Sequence, residues 1–215
     1  DIFHDRKLSE IGGKNLFCKE IEESLLTKTI DVAVHSLKDM ATEEIPSLNI
    51  AAYIERNDPR DVFVSFKHSS FKELRNGIVG SSSRRRDLQL KLINKDIVVK
   101  NIRGNIDTRI EKLKNGLYDA IMLSYAGIKS LNIEDKIAEV FSTEEIIPSA
   151  GQGIIALQCR NNDQEIISFL SKTNHNETYL RAHAERNVLK VLEGDCETAV
   201  GAHAVITGDQ ITLEA

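Results

Sequence analysis

The chain has 215 residues, of which 41% are hydrophobic and 28% are charged, and this balance excludes a disordered or collagen-like chain. No apolar run approaches the ~20 residues that a membrane-spanning helix needs, so no membrane partner is expected. The N-terminus lacks the pattern of a secretory signal, which favours the cytoplasm or a mature form whose leader has been removed. The net charge of −5 offers no general attraction to nucleic acid, so any basic site must be local.

The helical and extended patterns alternate along the chain. Residues 15–28 have the apolar spacing of an amphipathic helix, and residues 31–37 form an apolar run typical of a strand buried on both faces of a parallel sheet. Further strands are predicted at 77–80, 97–99 and 118–123, and further helices at 84–94 and 106–114. This alternation predicts an α/β fold of βαβ units with open parallel sheets, in which ligands bind at the strand ends.

Two segments have the composition of domain boundaries. Residues 55–61 are charged and contain a proline, and residues 147–153 are rich in proline and glycine. Two crossings between the same pair of domains predict a hinge. After about residue 175 a helical pattern is followed by a hairpin pattern at 202–206 and 210–213, which predicts the start of a third unit.

The pentapeptide His35-Ser36-Leu37-Lys38-Asp39 ends the first predicted strand with two opposite charges. Such strand ends are where α/β proteins place the groups that contact a ligand. The alternative is a surface ion pair of Lys38 with Asp39, which contributes little stability. His35 lies inside the apolar run and is expected to be a hydrogen-bonded core residue.

Small and basic residues dominate the segment Gly80-Ser81-Ser82-Ser83-Arg84-Arg85-Arg86, which joins a predicted strand to a predicted helix. Hydroxyl groups, free N–H groups at a helix start and guanidinium groups all favour an anion. The next strand-to-helix loop repeats the pattern with Arg103 and Arg109. Two such loops on adjacent strands are expected to converge on one anionic ligand. The alternative for the first loop is a helix cap followed by a solvated basic turn.

The three cysteines, Cys18, Cys159 and Cys196, are widely spaced and odd in number. That pattern argues against a disulfide framework and a structural zinc site, and the histidines also lack metal-ligand spacing. Cys18 and Cys159 fall in apolar contexts typical of structural thiols. Cys196 falls in a loop and is a candidate nucleophile or attachment point, although its acidic neighbours disfavour a thiolate. The residues alone leave its role open.

Together these segments resemble the hydroxymethylbilane synthase family, also called the porphobilinogen deaminase family. The resemblance is carried, in the family's order, by residues 35–39, 80–86, 102–105, 108–109, 151–153, 185–186 and 192–196. Glu10 and Ala199 depart from the family's usual lysine and proline. The family extends before Asp1 and beyond Ala215, so the chain is expected to be a fragment or an ordered core.

The resemblance implies two periplasmic-binding-protein-like α/β domains with open mixed sheets, joined by a two-stranded hinge, and a small α+β third domain. Domain 1 is expected at 1–54 and 154–172, domain 2 at 59–148, and the start of domain 3 at 176–215. It further implies a cytoplasmic, monomeric transferase of heme and tetrapyrrole biosynthesis, which joins four porphobilinogen molecules head to tail and releases ammonia. The product would be the linear tetrapyrrole hydroxymethylbilane.

The resemblance also implies a dipyrromethane cofactor, held by a thioether to Cys196, and a catalytic carboxylate at Asp39. The residues that it implies for the cofactor are Lys38, Asp39, Ser82, Ser83, Arg85, Arg86, Arg103, Gly127 and Gln152, and those for the substrate are Lys14, Arg103 and Arg109. No metal, nucleic acid or membrane partner is implied. The competing interpretation is a non-catalytic two-domain module that binds a small carboxylate ligand. Only the enzyme has a use for a covalent cofactor on Cys196.

Overall fold

The computed structural model describes residues 15–43, 45–194 and 198–215, with side chains from residue 18 onward. Its contacts divide the chain into two compact units. Among the described residues, the first unit comprises those up to 57, those from 150 to 194 and those from 202 to 215, and the second comprises those from 58 to 149 and from 198 to 201. A separate third domain from residue 176 stays a prediction.

The helices and strands follow one another closely along the described chain. In chain order they are α1 (Asn15–Leu26), β1 (Ala33–Ser36), β2 (Leu48–Tyr53), β3 (Asp61–Val64), β4 (Ile78–Gly80), α2 (Arg84–Ile93), β5 (Val98–Lys100), α3 (Ile106–Lys114), β6 (Ala120–Ser124), α4 (Tyr125–Ser130), β7 (Ile137–Val140), β8 (Ile155–Arg160), α5 (Gln164–Ser171), α6 (Asn176–Val191), β9 (His203–Thr207) and β10 (Gln210–Glu214). The helices predicted at 84–94 and 106–114 and the terminal hairpin are therefore confirmed.

The sheet of the first unit has the order β1-β8-β2, and β8 pairs antiparallel with both neighbours. The prediction of a strand buried on both faces of a parallel sheet is wrong for β1. Ala33 and His35 are buried, whereas Val34 between them is 65% exposed. Successive side chains of a strand point to opposite faces, and only one face of this strand is covered by the described core.

The sheet of the second unit has five strands in the order β5-β4-β6-β3-β7. Strand β4 is parallel to β5 and β6, whereas β3 is antiparallel to β6 and β7. Alternate residues enter two clusters: Phe63 and Met122 belong to one, Val62 and Ile121 to the other. The sheet is therefore covered on both faces. The α/β class with open mixed sheets is confirmed.

Helix α6 and the hairpin of β9 and β10 pack within the first unit. Helix α6 contacts β2 and β9, and its Ala182 joins the cluster of Leu37 and Tyr53. This cluster lies beneath the turn that follows β1, so α6 contributes to the support of that turn. None of the helices in the described part of the chain is both long and apolar enough to cross a membrane.

Candidate functional site

A single helical turn, Leu37–Asp39, follows β1 directly and carries the two charged residues that the sequence singled out. Leu37 is fully buried, and its N–H donates to the carbonyl of Ile154 over 3.0 Å. Lys38 and Asp39 are half-buried. The buried leucine therefore anchors a turn whose next two side chains reach partly into solvent at the carboxyl end of β1.

Lys38 and Gln152, which are far apart in sequence, are brought together in the first unit. The ammonium Nζ of Lys38 donates to Oε1 of Gln152 over 3.1 Å, and Gln152 is 1% exposed. Gly151 has a φ of +74°, and a Cβ there would lie 2.9 Å from Cγ of Leu37. The turn that carries Gln152 thus packs directly on the turn that carries Lys38. The role of both residues toward a cofactor stays a prediction.

His35 is a buried, hydrogen-bonded core residue, as expected. Its Nε2 lies 2.9 Å from Oε1 of Gln158, and Nε2 of Gln158 donates to Oε1 of Glu22 over 3.2 Å. The imidazole is 6% exposed. These contacts link α1, β1 and β8, and they give His35 a structural part in fixing the strand that ends at Lys38 and Asp39.

The two described cysteines lie in environments that disfavour a thiolate. The thiol of Cys18 donates to the carbonyl of Asp39 over 3.7 Å, and burial raises its pKa, with the negative charges of Glu22 and Asp39 acting in the same direction. Burial also raises the pKa of Cys159, which packs in the core. Both thiols are therefore poor nucleophiles.

Two strand-to-helix loops of the second unit are joined by a side-chain contact. Strands β4 and β5 are parallel neighbours, and the hydroxyl of Ser82, after β4, donates to the carbonyl of Ile102, after β5. Ser83 caps α2, because its Oγ accepts from the N–H of Arg86 over 3.4 Å. The two loops thus lie side by side. Their convergence on one anion stays a prediction.

Arg85 and Arg86 are buried and paired with Asp61, the first residue of β3. Nη2 of Arg85 lies 2.7 Å from Oδ2 of Asp61, and Nη2 of Arg86 lies 2.6 Å from Oδ1. Burial lowers the pKa of Arg85, and the charge of Arg86 lowers it further, whereas Asp61 opposes both effects. The alternative prediction of a solvated basic turn is therefore wrong for these two arginines, although Arg84 is exposed.

Asp61 was not identified as a site residue from the sequence, because it belongs to the charged segment taken as a boundary. The sequence feature that could have identified Asp61 is the apolar run directly after it, Val62-Phe63-Val64, which is fully buried. An acid at the start of a buried strand needs a cationic or hydrogen-bonding partner. Arg85 and Arg86 supply that partner.

The second loop carries Arg103, which is half-buried, and Arg109 on α3. Nε of Arg109 donates to the carbonyl of Gly104 over 2.8 Å, and Asn105 caps α3 through Thr108. At Gly127 of α4, a Cβ would lie 2.9 Å from Cδ1 of Ile106, so the missing side chain lets α4 approach the start of α3. A ligand role for Arg103, Arg109 or Gly127 stays a prediction.

Two residues implied by the resemblance, Lys14 and Cys196, lie outside the described residues. Within the part of the chain that the structure describes, no group of three or more His, Cys, Asp or Glu side chains is placed to hold a metal ion. The described loops carry guanidinium, ammonium and hydroxyl groups, which are suited to carboxylates or phosphates.

Two family models match the sequence in succession. "Porphobilinogen deaminase, dipyromethane cofactor binding domain" matches residues 1–168, and "Porphobilinogen deaminase, C-terminal domain" matches residues 179–215. The first match alone covers more than half of the chain and includes every described loop discussed above. The domain that it names binds dipyrromethane, so the cofactor implied by the sequence is confirmed for this family.

Solved structures that resemble the chain include periplasmic domains. The periplasmic VFT2 domain of Bordetella pertussis BvgS is 16% identical, with a TM-score of 0.45 over 73% of this chain and 66% of that one. A Salmonella typhimurium periplasmic binding protein with high arginine specificity is also 16% identical, with a TM-score of 0.39 over 79% of this chain and 70% of that one.

Proposed function

Because the chain belongs to the porphobilinogen deaminase family, we propose that it is a hydroxymethylbilane synthase. This transferase would join four porphobilinogen molecules head to tail, release ammonia at each step and form hydroxymethylbilane. The observation that carries the proposal is the succession of both family domains along the chain. We extend the proposal to a cytoplasmic monomer without nucleic-acid or membrane partners, which accords with the net charge of −5.

The donor groups of the second unit suit the carboxylates of dipyrromethane. Each pyrrole ring of the cofactor carries an acetate and a propionate, and guanidinium and hydroxyl groups are the side chains that best bind carboxylates. Within the described residues, the buried Nε of Arg85 has no hydrogen-bond partner, so one donor of this cluster is unused. The residues that would hold the cofactor there are Ser82, Ser83, Arg85, Arg86, Arg103 and Gly127.

The first unit would supply the catalytic carboxylate. When bound, the dipyrromethane supplies the primer on which the pyrrole chain is built. Asp39 would accept hydrogen bonds from pyrrole N–H groups and stabilise the positive charge that develops on porphobilinogen as ammonia departs. Lys38, oriented by Gln152, would pair with a carboxylate arm. Lys14, Arg103 and Arg109 would bind the carboxylates of the incoming substrate.

Covalent attachment to Cys196 is the part of the proposal that a single measurement can test. The other two cysteines are buried or half-buried and have raised pKa values, so neither is suited to form a thioether. The experiment is an intact-mass measurement on full-length protein made in cells that supply porphobilinogen. We expect the mass increment of two pyrrole units in the wild type, in Cys18→Ser and in Cys159→Ala, and its absence in Cys196→Ser.

The same measurement separates the enzyme from a carboxylate-binding module. A wild-type protein with no mass increment and no consumption of porphobilinogen would contradict the proposed function. An increment that survives in Cys196→Ser but is lost in one of the other variants would contradict the attachment site alone.

A further inference from the structure

The carboxylate of Asp61 is enclosed in the second unit and faces two arginines at once. Its exposure is 0%, and the side chains of Arg85 and Arg86 are 4% and 9% exposed. Both arginines stand in the first turn of α2, where the helix dipole is positive and disfavours cations. Without a buried anion, two adjacent guanidinium groups would not remain in this position.

Arg86 has protein partners at all three of its nitrogens. Nε and Nη2 donate to Oδ1 of Asp61 over 3.0 and 2.6 Å, and Nη1 donates to the carbonyl of Met122 over 3.1 Å. The carbonyl belongs to β6 and the carboxylate to β3, so two neighbouring strands fix the plane of this guanidinium. Arg86 is held more tightly than a surface side chain of its length would be.

Arg85 has protein partners at two of its three nitrogens. Nη2 contacts Asp61, and Nη1 donates to the carbonyl of Ile147 over 2.6 Å. Its Nε is buried without a hydrogen-bond partner among the described residues. Two cations and one anion give these three residues a net charge of +1 in a buried setting, which favours the approach of a further anion.

We propose that Asp61 is a positioning residue for cofactor binding, which fixes the guanidinium groups of Arg85 and Arg86 so that the cluster accepts a carboxylate of dipyrromethane beside Ser82 and Ser83. This inference rests on the proposed function. Asp61 neutralises one of the two charges and orients both side chains, and the remaining charge attracts the ligand. Asp61 itself does not touch the cofactor or the reacting atoms.

A purely structural ion pair predicts a different result. In that case the loss of Asp61 would lower stability, and the protein that still folds would take up cofactor as readily as the wild type. A positioning role predicts impaired uptake in the folded fraction, because misplacing a binding group by about 1 Å costs on the order of a hundredfold in rate. A control variant that lowers stability but leaves both arginines in place distinguishes the positioning role from the purely structural one.

The experiment compares Asp61→Asn, Asp61→Glu and Phe71→Leu in the full-length protein. Phe71 is 1% exposed in the core of the same unit and serves as the control for lost stability. Each apo-protein is produced without a porphobilinogen supply, its folded fraction is isolated, and the rate of covalent loading with added porphobilinogen is followed by intact mass. Thermal unfolding of each apo-protein measures the loss of stability directly.

We expect Asp61→Asn to load about tenfold more slowly than the wild type or worse, Asp61→Glu to recover part of that loss, and Phe71→Leu to load at the wild-type rate. If Asp61→Asn does not fold, the loading rate of Asp61→Glu is compared with that of Phe71→Leu, and a slower rate in Asp61→Glu supports the positioning role. Loading of the Asp61 variants at the rate of Phe71→Leu overturns the inference while the proposed function stands. A wild type that does not load at all overturns the proposed function and this inference with it.

Discussion

Arg56 and Glu185 form a buried, bidentate ion pair in the first unit. Nη1 of Arg56 lies 2.5 Å from Oε1 of Glu185, and Nη2 lies 3.2 Å from Oε2. The carboxylate also accepts the N–H of Gly151 and of Ala204, each over 2.8 Å. One glutamate of α6 thereby holds the end of the segment after β2, the turn that precedes Gln152, and the start of the terminal hairpin.

Replacing Glu185 with Gln should be strongly destabilising. The substitution leaves Arg56, 4% exposed, as a buried charge without its partner, and the expected loss in free energy of unfolding is about 3–5 kcal/mol. The matched control is Glu177→Gln on the same helix, where the carboxylate that pairs with Arg181 is 58% exposed and the expected loss is about 0–1 kcal/mol. Urea unfolding of both variants measures the difference. Equal losses would contradict the prediction.

Glycine is required at position 151 for two reasons, the positive φ of its backbone and the close approach of Leu37. Its φ is +74°, and a Cβ would overlap Leu37 at 2.9 Å, whereas Gly116 has a φ of +73° and nothing within 4 Å of its Cβ position. We therefore expect Gly116→Ala to lose about 1 kcal/mol from backbone strain alone. Gly151→Ala should lose an additional ~1–3 kcal/mol, because the overlap adds to that strain.

The two glycine variants are compared by thermal unfolding, and the difference between them isolates the contact with Leu37. Because Leu37 carries the turn of Lys38, Gly151→Ala should also displace the Lys38 to Gln152 hydrogen bond, visible in a crystal structure of the variant. A Gly151→Ala protein as stable as Gly116→Ala would show that the turn relaxes without cost.

The sequence predicted the elements well wherever their pattern is local. The apolar spacing of α3 and the turn at Gly208 are each contained in a dozen residues, so periodicity alone placed them. The buried ion pairs were missed for the opposite reason. Arg56 and Glu185 are 129 residues apart, and Asp61 is 25 residues from Arg86. No local pattern identifies such partners, and only the folded sheets bring them together.

In the candidate site, too, local patterns were predicted and contacts between distant residues were missed. The sequence identified Lys38 and Arg85 because strand ends and helix starts favour charged ligands. It did not show that Arg85 is enclosed and held by an aspartate at the start of a separate strand. Nor could residue order predict that the exposed member of the three arginines is Arg84, because a helix start presents three consecutive side chains in three directions.

His203 should make the stability of the first unit depend on pH. Burial lowers its pKa below the ordinary value of about 6.5, and the charge of Arg56 lowers it further. The unfolded state therefore binds more protons than the folded state below that value. This contribution to stability is complete above about pH 6.5 and is lost as the pH falls through the lower, folded pKa.

The check on His203 is urea unfolding of the wild type and of His203→Gln between about pH 7 and pH 5. The wild type should lose more free energy of unfolding over this range than the variant, since Gln does not titrate. Parallel curves for the two proteins would assign the pH dependence to other groups.

The final prediction separates catalysis from binding at Asp39. Asp39→Asn keeps the shape and part of the hydrogen bonding of the side chain but removes its charge. If the carboxylate stabilises the positive charge that develops as ammonia leaves porphobilinogen, the rate should fall on the order of 10² to 10³. Asp39→Glu keeps the charge and displaces it by one methylene, so it should retain more activity than Asn while remaining impaired.

Asp31→Asn is the control for Asp39 in the same unit, because the side chain of Asp31 is 67% exposed and its partner Arg160 keeps a second ion pair with Asp163. Single-turnover rates are compared among proteins that carry the same amount of covalent cofactor, so that any defect in loading is excluded. Asp31→Asn should match the wild type. A surface pair of Lys38 with Asp39 predicts small and similar effects of both Asp39 substitutions. A rate close to that of the wild type in Asp39→Asn would remove Asp39 from the mechanism, whatever its effect on stability.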